Sequence, residues 1–297
     1  MKNPTFNRKT TLIVLLVFAF GFQACKKKTD EEPVQPVYNL VFKYHFDSTQ
    51  VRLNNFGQPT GIPSGHGAQS PQFNLMSSHY IELAPDSLTL LGNGEILYRA
   101  PETSIGGSPA IDFSQSVKAG EGQSFFSIPL KNLSAGTYKW LRISLAYQNY
   151  DIRFRAAGFD LNGTLASFIG FNTYITSFAP RDSNVVVNGN RLQGYWAFEI
   201  DTLGFNNVYT GQAAGTTVPN PISLTSPVPA GSCVVTGAFD QPLVITGNET
   251  KDIVINVSLS VNNSFEWTDA AGDNIYEPAV DAVVDMGIRG VIPYVLY

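Results

Sequence analysis

Apolar and polar residues alternate with a period of two through several stretches of this chain, which is the pattern of half-buried β-strands. Leu40–Phe46, Leu141–Tyr147 and Ile253–Leu259 show the alternation most clearly. No stretch keeps the 3.6-residue period of an amphipathic helix. The sequence therefore predicts an all-β fold, an antiparallel β-sandwich of the immunoglobulin-like or jelly-roll-like kind.

Short stretches of β-favouring residues, separated by glycine and proline, fill much of the remaining chain. Phe125–Leu130, Tyr195–Ile200 and Leu165–Phe178 are three such stretches, and each predicts strand structure. The pair Asn188-Gly189 is typical of a type I′ turn and predicts a β-hairpin. The proline-containing segment 219–231 is the one place where we expect the domain to divide, if it forms two lobes rather than one.

The first 24 residues have the layout of a secretory signal peptide. Lys2, Arg8 and Lys9 make a basic start, and Leu12–Phe22 follows as an uncharged apolar run of eleven residues. That run is shorter than the roughly 20 residues that a membrane-spanning helix needs. We therefore expect residues 1–24 to be removed from the mature protein.

The segment Phe22-Gln23-Ala24-Cys25 resembles the lipobox of bacterial lipoproteins. The resemblance implies that Cys25 is diacylated, becomes the mature N-terminus and anchors the protein in the outer membrane, facing the periplasm or the cell surface. Residues 25–37 are polar and predict a flexible tether, and 38–297 then form the folded domain. The acidic run Asp30–Glu32 is similar to the surface-export signal of Bacteroidota lipoproteins.

The charge balance bears on the partners of the protein. The chain has 24 acidic and 19 basic residues, and residues 1–24 hold three of the bases and no acid, so the mature net charge is −8. Nucleic acid is therefore not an expected partner, because binding phosphate needs basic patches. The expected partners are the membrane, through the lipid, and a glycan or an envelope protein. The oligomeric state is left open.

The two cysteines restrict the covalent chemistry of the domain. With Cys25 lipidated, Cys233 has no partner for an intramolecular disulfide, although the compartment is oxidising. Cys233 lies in an apolar run, which indicates a buried, unreactive thiol.

An acidic stretch near the C-terminus is a candidate cation site. Six acids fall between Glu266 and Asp285, with no base among them. Calcium is bound by carboxylate, amide and carbonyl oxygens, and Asp269, Asp273 and Glu277 are the residues best spaced to supply them. The alternative is a solvated acidic loop that leads into a strand.

A second candidate metal site combines a thioether with imidazoles. Met76 and His79 are close in sequence, His66 lies upstream, and these side-chain types suit copper. The alternative is that these residues pack in the core or face solvent.

Residues 38–150 resemble lipoproteins related to MbnP, the methanobactin-associated periplasmic protein. The resemblance depends on strand order and on the motif formed by Phe126-Ser-Ile-Pro-Leu130 and Gly136-Thr137-Tyr138. It implies a β-sandwich and copper handling.

The sequence contains no local catalytic motif. A Gly-x-Ser-x-Gly elbow, a His-Glu-x-x-His helix, a phosphate-binding glycine loop and a Cys-x-x-Cys pair are all missing. Aromatic and amide residues such as Asn149, Tyr150, Asn190, Tyr195 and Trp196 suit a glycan-binding surface. We therefore expect a binding or structural role rather than an enzyme. Copper handling, surface glycan binding and a hydrolase activity are the alternatives.

Overall fold

A computed structural model describes residues 36–54, 57–202, 205–213 and 224–296. The chain from Val37 onward forms one compact unit. Strands dominate it, and the only helical elements described are two short 3-10 turns at Phe113–Gln115 and Leu130–Asn132. The prediction of an all-β, mainly antiparallel sandwich is confirmed.

The strands of the described residues are numbered here in chain order. They are β1 (Asn39–Asp47), β2 (His66–Gln69), β3 (Gln72–Ala84), β4 (Glu95–Arg99), β5 (Glu102–Thr103), β6 (Ala110–Asp112), β7 (Ser124–Pro129), β8 (Gly136–Ala156), β9 (Phe159–Phe168), β10 (Asn172–Phe178), β11 (Val185–Leu192), β12 (Tyr195–Thr202), β13 (Phe205–Gln212), β14 (Cys233–Ile245), β15 (Ile253–Ser260), β16 (Phe265–Thr268), β17 (Ala282–Asp285) and β18 (Val291–Leu296).

One outer layer is a four-stranded sheet with the order β18-β15-β1-β7. The alternation in β1 places Leu40, Phe42 and Tyr44 in the core, where all three are fully buried. β1 runs parallel to β15, with Leu40 beside Ile253, and antiparallel to β7. The first strand is thus held between strands from the middle and the end of the chain.

The central layer is a seven-stranded sheet built around β8, which is 21 residues long. Along one edge β8 pairs first with β14 and then with β9, and along the other edge it pairs with β3. The outer strands β12 and β13 extend the sheet beyond β9, and β4 extends it beyond β3.

The central sheet buries apolar side chains on both faces. On neighbouring positions of β9, Leu165 belongs to the large core shared with the four-stranded sheet, whereas Ala166 belongs to a second core. This second core includes Phe168, Ile175 and Phe178 and lies against the sheet β11-β10-β6-β5. Strands buried on both faces explain why apolar residues there do not alternate strictly with polar ones.

The β-favouring stretch Leu165–Phe178 is divided between two strands, because β9 ends at Phe168 and β10 begins at Asn172. One local prediction was wrong. Asn188-Gly189 lies inside β11, where the pairing with β10 shifts in register, so the left-handed Asn188 forms a bulge rather than a hairpin turn.

Several predictions fall on residues outside the described ranges. The signal peptide, Cys25 with its lipobox-like segment, and the tether as far as residue 35 are among them. The possible boundary at 219–231 lies partly outside them as well, because residues 214–223 are not described.

A small three-stranded sheet, β17-β16-β2, lies beside the central sheet and positions the candidate site. Strand β16 follows β2 in the sequence by almost 200 residues. The two strands nevertheless pair, and Trp267 is directly opposite Gly67. Phe265 and Trp267 point into the large core and are almost completely buried.

Candidate functional site

Two adjoining clefts open where the small sheet meets the ends of β8 and β9. The first cleft has a volume of about 540 Å³ and is named here the Tyr276 cleft after one of its lining residues. The second has a volume of about 400 Å³ and is named the His66 cleft. Ala68, Asn263 and Asn274 line both, so the two clefts are neighbours that share part of their walls.

Trp267 lines the Tyr276 cleft and depends on a glycine for its position. A Cβ atom at Gly67 would lie 2.6 Å from Cε2 of Trp267, so only glycine lets the indole lie against the β2 backbone. The Trp267 ring also contacts Tyr276, with ring centroids 5.6 Å apart. The indole N–H of Trp267 is buried and has no hydrogen-bond partner among the described residues.

Asn274 joins the loop between β16 and β17 to the edge of β2. Its Oδ1 accepts the backbone N–H of Ala68 at 2.9 Å, while its own N–H donates to Asp269 at 2.8 Å. The residue has a positive φ of 55°, a conformation that asparagine tolerates better than most residues. Its Nδ2 makes no hydrogen bond within the described part of the chain and remains a donor at the junction of the clefts.

Asn263 has the same left-handed backbone, with a φ of 49°. Its N–H donates to Oγ of Ser70 at 2.9 Å, which fixes the start of β16 to the end of β2. Two of the four non-glycine residues with positive φ in the described ranges therefore line both clefts. Such conformations concentrate at functional sites more than elsewhere.

Arginines bring positive charge to the Tyr276 cleft. The side chain of Gln69 bonds to both the N–H and the C=O of Arg153, at 2.9 and 2.8 Å, and so fixes the backbone of that residue. The Arg153 guanidinium is exposed and makes no ion pair or hydrogen bond with any described residue. The acid nearby, Asp160, is paired with Arg155 at 2.8 Å, which lowers the pKa of Asp160.

Tyr276 contributes a half-buried aromatic ring and a hydroxyl group. Burial, together with the charge of Asp281, raises the pKa of Tyr276 to about 12, so the hydroxyl keeps its proton at neutral pH. The carbonyl of Tyr276 accepts the N–H of Arg155 at 2.7 Å, which ties the acidic loop to β8.

A network of buried charges lies behind the His66 cleft. Glu266 accepts a hydrogen bond from Arg52, lies 3.5 Å from Nη2 of Arg289 and lies 2.6 Å from Nδ1 of His66. Burial lowers the pKa of Arg52, and burial raises the pKa of Asp285, which pairs with Arg289. The network joins β2, β16 and the loops on either side of them, and it orients the His66 ring.

The three predicted calcium ligands have separate partners. Asp269 accepts the N–H groups of Asn274 and Gly272, and these backbone bonds lower its pKa. Asp273 lies 3.4 Å from Arg155, and the backbone of Glu277 bonds with that of Asp281. Among the residues that the structure describes, no group of three or more His, Cys, Asp or Glu side chains could hold a metal ion. The calcium site stays a prediction.

The three predicted copper ligands also lie in different surroundings. Met76 is fully buried in the large core, while His66 contacts Glu266. His79 is fully buried, lies 2.9 Å from Glu102 and has an Nδ1 atom without a described partner. Burial lowers the pKa of His79, so the ring is neutral at pH 7. Copper binding stays a prediction.

The aromatic and amide residues that suggested a glycan surface are dispersed. Tyr150 and Tyr195 are buried in two different cores, and Asn149 donates to the carbonyl of Pro180 at 2.6 Å. Arg153, Trp267 and Tyr276 were not predicted as ligand-binding residues, whereas His66 and Asp269, which line the His66 cleft, were predicted as metal ligands. The acidic stretch was the only signal in the sequence that pointed to this loop.

The described part of the chain contains no helix with the length and hydropathy that a membrane span requires. Comparisons with protein-family models, curated proteins and solved structures found no match for this chain. The lipoprotein and MbnP-like resemblances therefore stay predictions, and the functional argument depends on the chemistry of the clefts.

Proposed function

We propose that this chain is a lipoprotein of the cell envelope, anchored through Cys25, whose β-sandwich domain binds a ligand in the Tyr276 and His66 clefts. The anchor is supported by the order of segments in the sequence: a basic start, the apolar run Leu12–Phe22, the cysteine and the polar tether. The polar tether, the last of these segments, ends where the folded unit begins, at Val37.

The observation that carries the binding role is the arrangement around Asn274. This residue is held by Ala68 and Asp269, yet its amide nitrogen is left unused where two clefts meet. A loop fixed by its own hydrogen bonds presents its remaining donors in a defined geometry, which lowers the ordering cost of ligand binding. Clefts of 300–1,000 Å³ with a few convergent polar groups are the usual form of small-ligand sites.

The anchor is tested by replacing Cys25 with alanine in cells that are fed a labelled fatty acid. The native protein should take up the label and sediment with the membranes. Each buried CH₂ of the acyl chains contributes about 0.8 kcal/mol of membrane affinity, so loss of the chains should release the variant. A Cys25→Ala protein that still sediments with membranes after a salt wash would contradict the anchor. A Cys233→Ala protein is the matched control and should remain labelled.

A further inference from the structure

A third cleft opens on the face of the central sheet that points away from the large core. Its volume is about 540 Å³, and it shares no lining residue with the Tyr276 and His66 clefts. Residues of β3, β8 and β9 form its floor, and the turn 179–181 after β10 forms a wall. On β8, Tyr150 and Ile152 point into the large core, so Asn149 and Asp151, which alternate with them, point into this cleft. It is named here the Asn149 cleft.

Asn149 joins the floor of the cleft to its wall. The residue is only 3% exposed, and both ends of its side-chain amide are used. Its Oδ1 accepts a hydrogen bond from Nδ2 of Asn74 at 3.0 Å, and its Nδ2 donates to the carbonyl of Pro180 at 2.6 Å. One buried amide therefore holds β3, β8 and the wall in a single arrangement.

The wall is also fixed from β12. The buried carboxylate of Glu199 accepts the backbone N–H groups of Arg181 and of the two residues that follow it. Burying a polar side chain is unfavourable unless its hydrogen bonds are complete. Here two such side chains, Asn149 and Glu199, hold the same segment. A wall fixed in this way is pre-organised, which lowers the ordering cost of binding a ligand.

The amide groups left free in the Asn149 cleft are both donors and acceptors. The side chains of Gln72 and Asn162 make no hydrogen bond with any described residue, and neither does Oδ1 of Asn74. A side-chain amide offers N–H donors and an oxygen acceptor together. A hydroxyl group likewise donates and accepts, so these side chains suit a ligand that is rich in hydroxyl groups.

The charges of the cleft favour a neutral ligand. Oδ1 of Asp151 accepts the hydroxyl of Thr164 at 2.6 Å, and its Oδ2 has no partner in the described part of the chain. The cation of the cleft, Arg181, already lies 3.4 Å from the carboxylate of Asp182. A free carboxylate oxygen disfavours an anion but accepts a charge-assisted bond from a neutral hydroxyl group.

The construction of the floor disfavours a peptide. Peptides commonly bind by adding to a free strand edge. β8 has no free edge here, because it pairs with β3 on one side and with β9 on the other. The floor therefore offers side chains only. Leu75 and Ala179 add aliphatic surface beside the amides, which suits the C–H groups of a sugar ring.

We infer that the Asn149 cleft binds a neutral oligosaccharide, with one hydroxyl donating to Asp151 and others bonding to Gln72 and Asn162. Gln72 is directly opposite Asp151 on the neighbouring strand, and Asn162 lies on the strand beyond, so the three side chains span the floor. The site is separate from the clefts beside Asn274. The inference therefore goes beyond the proposed function and does not depend on it.

The test uses calorimetry on the full chain in micelles of a sugar-free zwitterionic detergent, with cellotriose, maltotriose and mannotriose as probes. At least one should bind with a Kd of about 1 mM or tighter. Asp151→Asn should weaken this binding about tenfold, because a charge-assisted bond is lost. The new amide oxygen can still accept from Thr164, so the melting temperature should not change. Asp160→Asn, the same change in the Tyr276 cleft, should leave the affinity unchanged.

A second variant tests the floor without touching any bond of the folded protein. Asn162→Ala removes an exposed, unbonded amide and should weaken binding about threefold. If Asp151→Asn and Asn162→Ala both bind the sugar with native affinity, the inference is wrong. If Asp160→Asn alone weakens binding, the sugar occupies the Tyr276 cleft, so the inference fails while the proposed function stands.

Two further outcomes would overturn the inference. One is the absence of any heat of binding with all three trisaccharides at about 10 mM. The other is equally tight, Asp151-dependent binding of acetyl-trialanine amide, which would assign the cleft to peptides.

Discussion

Glu199 lies on β12 with 1% of its surface exposed, and its carboxylate accepts the backbone N–H groups of Arg181, Asp182 and Ser183. Glu82 has a similar role on β3, where it accepts the N–H groups of Gly92 and Gly94 at 2.9 and 2.6 Å. Through these hydrogen bonds each buried side chain holds a loop against the sheet. Such acids contribute to stability only while their hydrogen bonds remain complete.

Glu199→Gln should lower the free energy of unfolding by about 2 kcal/mol at pH 7, because several charge-assisted bonds are weakened. Burial alone would raise the pKa of Glu199, but the bonds from Ser183, Arg181 and Asn206 lower it below 4.5. The contribution of a carboxylate with a lowered pKa is present above its unfolded-state value and is lost as the pH falls through the folded-state value. Denaturant unfolding at pH 7 and pH 3 measures the change.

The same experiment on Glu95→Gln is the control, because Glu95 makes no hydrogen bond that the described residues show. If Glu199→Gln lowers the free energy of unfolding by the same amount at pH 7 and pH 3, the charge of Glu199 does not have this role.

His79 should make the fold less stable in mild acid. Burial lowers the pKa of His79 below 6.5, so the unfolded chain binds a proton that the folded chain does not. Stability should therefore fall as the pH drops through 6.5 towards the folded-state pKa. His79→Phe should flatten this part of the stability curve between pH 7.5 and 5.5, as followed by thermal unfolding. If the dependence of stability on pH is the same in His79→Phe as in the native protein, another group controls the loss of stability in acid. His45→Phe is the comparison variant.

At the level of elements, the pairing of β2 with β16 creates the candidate site, and one glycine permits it. Gly67→Ala would place Cβ 2.6 Å from the Trp267 indole and should destabilise the protein by about 1–3 kcal/mol through overpacking. Gly61→Ala is the matched control, since nothing lies within 4 Å of the added atom. Melting temperatures of the two variants, measured side by side, test this. Equal values would contradict close contact between the two strands.

The strands show how far the sequence predicts this fold. β1 and β15 follow from their alternation of apolar and more polar positions, although β15 is buried on both faces. Asn188-Gly189 was misread because a left-handed asparagine suits a bulge as well as a turn, and only the pairing with β10 decides between them. The clefts could not be predicted, because residues 66–70 and 263–276 meet through pairing across almost 200 residues.

At the level of the whole molecule, Cys233 reports on global unfolding. Cys233 is half-buried, and desolvation, with a smaller effect of Asp285, raises the pKa of this thiol to about 12, so almost no thiolate exists at pH 8. The folded protein should not react with a disulfide reagent at pH 8, and denaturant should release one reactive thiol per chain. Reductant should leave the melting temperature unchanged. Rapid reaction of the native protein would contradict the raised pKa of the Cys233 thiol.

The parallel pair of β1 and β15 has a consequence for the way this chain folds. Asn39 bonds to Asp252 across a sequence separation of 213 residues, so the first strand gains this neighbour only when nearly the whole chain is present. Closing such a long loop makes folding slow, because the entropy of the loop is lost before the contacts form. During that interval Leu40, Phe42 and Tyr44 are exposed on an unpaired edge that can pair with other chains. Nascent chains of this topology are therefore expected to depend on holding chaperones until their C-terminal strands are complete.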